Sequence, residues 1–164
     1  AVTTGCGGMG QQQATATGDE AVNTNVSAYQ NTYADLLTYL SALGYINPLS
    51  SNKDITYSEM RADLIGAKQG RRFTAQHTKN VSIELYEFDP NNLNETAQKV
   101  VDSVKANGTF QNLFDETVFD AYLTGGGHYM MIYNDASITD DTKETDENYQ
   151  NRQKVVDSFL AFDR

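Results

Sequence analysis

Apolar side chains recur at helical spacing in the first patterned part of the chain, residues 26–43. The stripe comprises Tyr29, Tyr33, Leu36, Leu37, Leu40 and Leu43. Residues three or four apart lie on one helix face, so this spacing predicts an amphipathic helix over 26–43. Asn25 is a suitable N-cap residue, and Gly44 suits a left-handed end of the helix.

A second, short helix is predicted after the break at Asn47-Pro48. The four residues Thr56-Tyr57-Ser58-Glu59 match the capping-box pattern of a helix start. Met60, Leu64 and Ile65 would form its apolar face, and Gly66 would end it.

The pattern then changes to extended structure. Strands are predicted at 71–77 and 81–88, and the second alternates, with Val81, Ile83 and Leu85 facing the core. A helix is predicted over 93–106, with Asn92 as its cap and Asn107-Gly108 as its end.

The same order of elements follows once more. Strands are predicted at 117–123 and 128–133, joined by a turn at glycines 125–127. An acidic loop over 135–147 leads to a last helix over 148–162. Its inward residues are Val155, Val156, Phe159 and Phe162.

The order is therefore two helices followed by ββα and a second ββα. Short turns make each strand pair antiparallel, so we expect a four-stranded antiparallel sheet with both later helices on one face. The predicted fold class is α+β, with a single domain over 25–164 and a flexible segment over 1–24.

The segment 1–24 contains the only cysteine, Cys6, in the context Ala1-Val2-Thr3-Thr4-Gly5-Cys6-Gly7-Gly8. Small residues before the cysteine and glycines after it resemble the end of a bacterial lipobox, where the cysteine is acylated. Residues 7–20 are mostly Gly, Gln, Ala and Thr, a composition typical of a flexible tether. The alternative is a disordered start in which Cys6 has no role.

Three further stretches resemble small lipoproteins of unknown function from anaerobic Gram-positive bacteria. They are 64–67 (LIGA), 83–89 (IELYEFD) and 129–133 (YMMIY), within a similarity that extends over 63–162. The resemblance implies an exported protein with a signal peptide in its precursor and a lipid anchor at Cys6, which would place the domain outside the cytoplasm at the membrane. It implies no functional residues.

Charge narrows the classes of partner. The chain has 22 acidic and 12 basic residues, a formal net charge of −10. This balance disfavours nucleic acid and anionic lipid surfaces, since phosphate binding needs clustered Lys and Arg. No nucleotide or dinucleotide fingerprint occurs, and no cofactor is predicted.

Two groups of residues are candidates for chemistry. A basic cluster could bind an anionic ligand, or could merely pair with acidic neighbours; it comprises Lys68, Arg71, Arg72, His77 and Lys79. The histidines, His77 and His128, could each face a carboxylate such as Glu84 or Glu87, although no metal-ligand spacing or catalytic motif is present.

These observations leave four hypotheses open. The first is a non-enzymatic, lipid-anchored binding or interaction module at the cell envelope. The second is a small-ligand or wall-fragment binding protein that uses Arg71 and Arg72. The third is an extracellular hydrolase that uses His77 or His128. The fourth is a structural subunit of a surface filament.

Overall fold

The computed structural model describes residues 23–47, 57–76 and 78–164. The fold is α+β, with three α-helices, a five-stranded antiparallel sheet and a small two-stranded sheet. None of the helices in these ranges has the length and apolar composition needed to cross a membrane. Cys6, His77 and all of the predicted tether except residues 23 and 24 lie outside the described residues.

The main sheet has two long central strands and short edges. Its strands are β1 Tyr57–Glu59, β2 Gln69–Thr74, β3 Val81–Glu87, β6 Ala121–Leu123 and β7 Tyr129–Asp135. They are arranged in the order β1-β2-β3-β7-β6, so that β3 and β7 form the centre and β6 forms one edge. The small sheet pairs β4, Phe110–Gln111, with β5, Thr117–Val118.

Each α-helix begins at a capped residue. The helices are α1 Tyr33–Ala42, α2 Glu95–Asn107 and α3 Glu147–Leu160. Their N-cap side chains belong to Thr32, Asn94 and Asp146, and each accepts a backbone N–H of the first turn. Gly108 follows α2 with φ +73°, the left-handed end that the sequence predicted.

The first predicted helix is shorter than its apolar stripe. Asn25 caps only a 3₁₀ turn, Val26–Ala28, and Tyr29 is already extended. The Asp35 carboxylate then accepts the N–H of Gln30 at 2.6 Å, which holds the chain in a bend before α1. Local side-chain hydrogen bonds therefore override the helical spacing of residues 26–32.

The second predicted helix is wrong at its start. Tyr57, Ser58 and Glu59 form the edge strand β1 instead of a capping box, because Tyr57 packs on Phe73 and Glu59 pairs with Arg71 of β2. A short 3₁₀ helix, Ala62–Ile65, follows and ends at Gly66 as predicted. Likewise, α2 is capped by Asn94 and not by Asn92.

The predicted placement of both later helices on one face is also wrong. Helices α1 and α3 pack on one side of the sheet, the α3 face, which includes Met131. Helix α2 packs on the other side, the α2 face, which includes Met130. Strand β7 is buried on both faces, and its continuous apolar run, Tyr129 to Tyr133, is the pattern of a strand between two layers.

Candidate functional site

The hairpin formed by β4 and β5, with the residue that follows it, carries the most exposed large apolar side chains of the described chain. Leu113 is 61% exposed and Phe114 is 76% exposed. We call these two residues the apolar tip, because they lie in the turn between the strands. Phe119, which follows β5, is 65% exposed. Adjacent apolar side chains held in solvent are typical of an interaction surface.

The turn that carries the apolar tip is held by Asn112. Its side-chain oxygen accepts the backbone N–H of Phe114 at 2.8 Å and that of Glu116 at 3.1 Å. Asp115 has φ +58°, a left-handed conformation that Asp tolerates better than most residues. The backbone N–H of Asn112 donates to the carbonyl of Glu116 at 3.0 Å. These contacts fix the direction in which the apolar tip points.

The base of the hairpin is anchored in the core. Phe110 of β4 is buried against α2, and Val118 of β5 packs on the same cluster. The amide of Gln111 donates to the hydroxyl of Thr117 at 2.7 Å across the strands. The hairpin is thus joined to the body of the fold and is not a detached loop.

A groove with both apolar and polar lining runs beside the hairpin toward the 3₁₀ helix. It has a volume of about 430 Å³, and Leu64, Ile65 and Leu113 contribute to its lining. Leu64 is itself 38% exposed. The apolar tip therefore continues into a concave surface.

Acidic groups border the apolar tip. Asp115 and Glu116 follow Phe114 directly, and both are exposed. Neither makes an ion pair with any residue in the described ranges, whereas Asp120 pairs with Arg152 at 3.2 Å. The surface thus combines exposed apolar side chains with two carboxylates that form no ion pair in the described ranges.

The predicted anion-binding residues do not share one pocket. Arg71 points to the α3 face, where its guanidinium pairs with Glu59 at 3.1 Å and lies 4.4 Å from the ring centre of Tyr57. Arg72 points to the α2 face and is exposed, since neighbours on a strand alternate sides. The ammonium of Lys68 lies 3.6 Å from the Glu87 carboxylate.

Of the remaining members of that cluster, only Lys79 lies in the described ranges. Lys79 is exposed in the turn between β2 and β3, and His77 lies outside the described residues. Two of the basic residues, Lys68 and Arg71, already have acidic partners. The hypothesis of paired arginines in one anion pocket therefore loses its geometric basis.

His128 faces Asp163 and neither Glu84 nor Glu87. Its Nδ1 lies 2.9 Å from the Asp163 carboxylate, which also accepts the His128 backbone N–H at 2.9 Å. The hydroxyl of Thr124 donates to the same carboxylate at 2.6 Å, and the amide of Asn31 donates at 2.8 Å. The Asp163 side chain is only 2% exposed.

This cluster ties the last residues to the glycine turn. The backbone N–H of Gly126 donates to the Asp163 carbonyl at 2.7 Å, and a Cβ at Gly126 would overlap the Asp163 carboxylate. Burial alone would raise the pKa of Asp163, but the hydrogen bonds from Thr124, His128 and Asn31 outweigh it and hold the pKa below its usual range.

The histidine–aspartate pair supports a structural role better than catalysis. Neither His128 nor Asp163 lines any of three cavities, of about 200, 430 and 520 Å³, on the described part of the chain. The hydroxyl of Thr124 donates to Asp163 and not to the histidine. In the described part of the chain, no group of three or more His, Cys, Asp or Glu residues could hold a metal ion.

Sequence reasoning missed the apolar tip. The predicted single strand over 117–123 leaves residues 109–116 unassigned and includes Phe119. The signal is nevertheless present in the sequence, because Leu113-Phe114 stands between the turn-forming residues Asn112 and Asp115. Turns lie on the protein surface, so two large apolar residues inside a turn are rarely buried.

Comparisons with protein-family models, with curated proteins and with solved structures find no match to this chain. The resemblance to small lipoproteins therefore stays a prediction from the sequence.

Proposed function

We propose that this chain is an exported, lipid-anchored interaction module that binds a protein partner through the apolar tip. The observation that carries the proposal is the exposure of Leu113 and Phe114 on a hairpin whose turn is fixed by hydrogen bonds. A rigid apolar projection loses little conformational entropy on binding, which favours its use as an anchor in a partner's groove.

The charge around the apolar tip indicates the chemistry of the partner. Asp115 and Glu116 have no ion partner among the described residues, so a groove bordered by Lys or Arg would complement them. An anionic membrane surface would repel the same carboxylates, and the net charge of −10 adds to that repulsion. A protein with a basic-rimmed apolar groove is therefore the better fit.

The proposal is tested with a photo-crosslinking residue placed at Phe114 in cells. We expect a discrete crosslinked protein, absent when the probe is placed at Leu160, which is also exposed but lies at the end of α3. The identified protein is then purified for affinity measurement. The double variant Leu113→Ser/Phe114→Ser should bind it about 100-fold more weakly, since two buried anchors contribute about 3 kcal/mol or more.

Three results would contradict this function. The first is an affinity that the double variant changes no more than Leu160→Ser does. The second is binding of the purified domain to phospholipid vesicles that the double variant abolishes, which would make the apolar tip a membrane contact. The third is concentration-dependent self-association lost in the double variant, which would favour the filament hypothesis.

The lipid anchor is tested separately at Cys6. With its natural precursor expressed in a lipoprotein-producing bacterium, we expect incorporation of a labelled fatty acid and recovery of the protein in the membrane fraction. Cys6→Ser should abolish both, because serine lacks the thiol that receives the diacylglycerol and the flanking segment has little apolar surface. Membrane recovery that persists in Cys6→Ser would overturn the anchor while leaving the apolar tip untouched.

A further inference from the structure

A second cavity lies on the α3 face, away from the apolar tip. It has a volume of about 200 Å³ and lies between the central strands and the first half of α3. Its lining residues include Tyr133 and Asp135 of β7 and Asn148, Asn151 and Lys154 of α3. An engineered cavity of about 150 Å³ can hold a benzene molecule, so this one suits a ligand of a few more atoms.

The lining of the cavity contains both apolar and polar side chains. Val81, Ile83 and Val155 supply apolar surface from β3 and α3. Besides the hydroxyl-bearing residues, the polar groups are a carboxylate, an ammonium and two amides from Asp135, Lys154, Asn148 and Asn151. Apolar walls with a few polar groups that converge on them are typical of small-molecule sites.

The hydroxyl of Tyr133 has no protein partner in the described ranges. Tyr133 is only 4% exposed, and its side chain makes no hydrogen bond with any described residue. A buried hydroxyl without a partner is unfavourable, because it has given up its hydrogen bonds to water. Burial, followed by the charge of Asp135, raises the pKa of Tyr133 to about 12, so the hydroxyl keeps its proton and can donate it in a hydrogen bond.

Two opposite charges border the same space without pairing. Asp135 is 9% exposed, and one of its oxygens accepts the N–H of Ser137 at 2.8 Å. Neither Asp135 nor Lys154 makes an ion pair within the described ranges, with each other or with a third residue. A buried carboxylate without a cation is costly, and a ligand with a positive group would offset that cost.

We propose that this cavity binds a small zwitterion of the amino-acid type. Asp135 would receive its ammonium group, Lys154 its carboxylate, and Val81, Ile83 and Val155 a short apolar side chain. Tyr133 would donate its hydroxyl hydrogen to the ligand. This site is separate from the apolar tip, so either proposal can fail without the other.

The test is a titration of the purified chain with L-alanine, in which binding is measured by calorimetry and by amide chemical shifts. We expect saturable shifts at the cavity residues, and at least tenfold weaker binding for Lys154→Met and for Asp135→Asn. Asp135→Asn retains an oxygen for the Ser137 N–H, so its fold should persist. Lys105→Met, in the exposed last turn of α2, is the matched control and should bind like the original chain.

Propionate and ethylamine complete the test, because propionate carries only the carboxylate and ethylamine only the ammonium group. We expect each to bind at least tenfold more weakly than L-alanine. Propionate that binds as tightly as L-alanine would overturn the zwitterion in favour of a simple carboxylate ligand. The absence of shifts at the cavity residues with millimolar L-alanine would overturn the site itself.

Discussion

Replacement of Asp163 by alanine is expected to lower the free energy of unfolding by about 3 kcal/mol at pH 7. The change removes an acceptor from the hydroxyl of Thr124, which is buried, and from the backbone N–H of His128. Alanine is also strained at φ +51°, where aspartate is tolerated. For a chain of this length, we expect the melting temperature to fall by about 6–12 °C in a thermal unfolding experiment.

The Asp163 contribution should depend on pH in one direction. Its pKa is lowered in the folded state, so its stabilisation is complete above the unfolded value of about 3.9. That stabilisation is lost as the pH falls through the lower, folded value. Asp163→Asn is the control, because the amide keeps one acceptor oxygen and tolerates the backbone conformation. In urea unfolding from pH 7 to pH 2, the difference in stability between the original chain and the Asp163→Asn variant should narrow in acid; a constant difference would contradict the role of the charge.

Met130→Ala and Met131→Ala should each destabilise the fold by about 3 kcal/mol. The two residues are neighbours on β7, both fully buried, and they face opposite helical layers. Met130 packs in the cluster that contains α2, and Met131 packs in the one that contains α1 and α3. A sheet covered on one side only would make just one of these truncations costly.

Urea denaturation of the two variants measures this directly. Asn134→Ala is the control on the same strand, because Asn134 is exposed and should change stability by no more than about 0.5 kcal/mol. Equal, large losses for both methionines would support helices on both faces. A loss for only one methionine would be incompatible with the three-layer arrangement.

Only part of the element order, β2-β3-α2 and then β7-α3, could be predicted from the sequence, because local signals agree with tertiary packing there. Strands β2 and β3 have clear alternation or turn boundaries, and α2 ends at Gly108 as its left-handed signal requires. The antiparallel pairing of β2 with β3 and of residues 121–123 with β7 also follows from short turns, whereas residues 117–118 pair with β4 and not with β7 as predicted. Residues close together in the sequence are enough to determine these features.

The layer arrangement could not be predicted from the same signals. The residues Tyr57, Ser58 and Glu59 fit both a capping box and a strand. Only their contacts with Phe73 and Arg71 of β2 determine that they form a strand. The side of the sheet that α2 covers depends on the path of its connections. One local sign did exist: the uninterrupted apolar run of β7 indicates that both faces of this strand are buried. It does not say which helix covers which face.

The candidate sites likewise divide into features that neighbouring residues predict and features that depend on distant contacts. The alternation of side chains along β2 is enough to place Arg71 and Arg72 on opposite faces, which weighs against one shared pocket. The cavity combines residues from β3, β7 and α3 that are far apart in the chain, so no local motif marks it. The same holds for Asp163, whose partners lie just before α1 and next to the glycine turn.

The short edge strand β6 limits how another chain could add to this sheet. Strand β6 comprises only Ala121–Leu123, and the N–H of Ala121 already donates to the Gly108 carbonyl at 3.0 Å. An extended peptide laid along β6 would gain few main-chain hydrogen bonds. Neighbouring copies of the domain are thus poorly suited to forming a continuous sheet through β6. Recognition at this edge must depend on side chains.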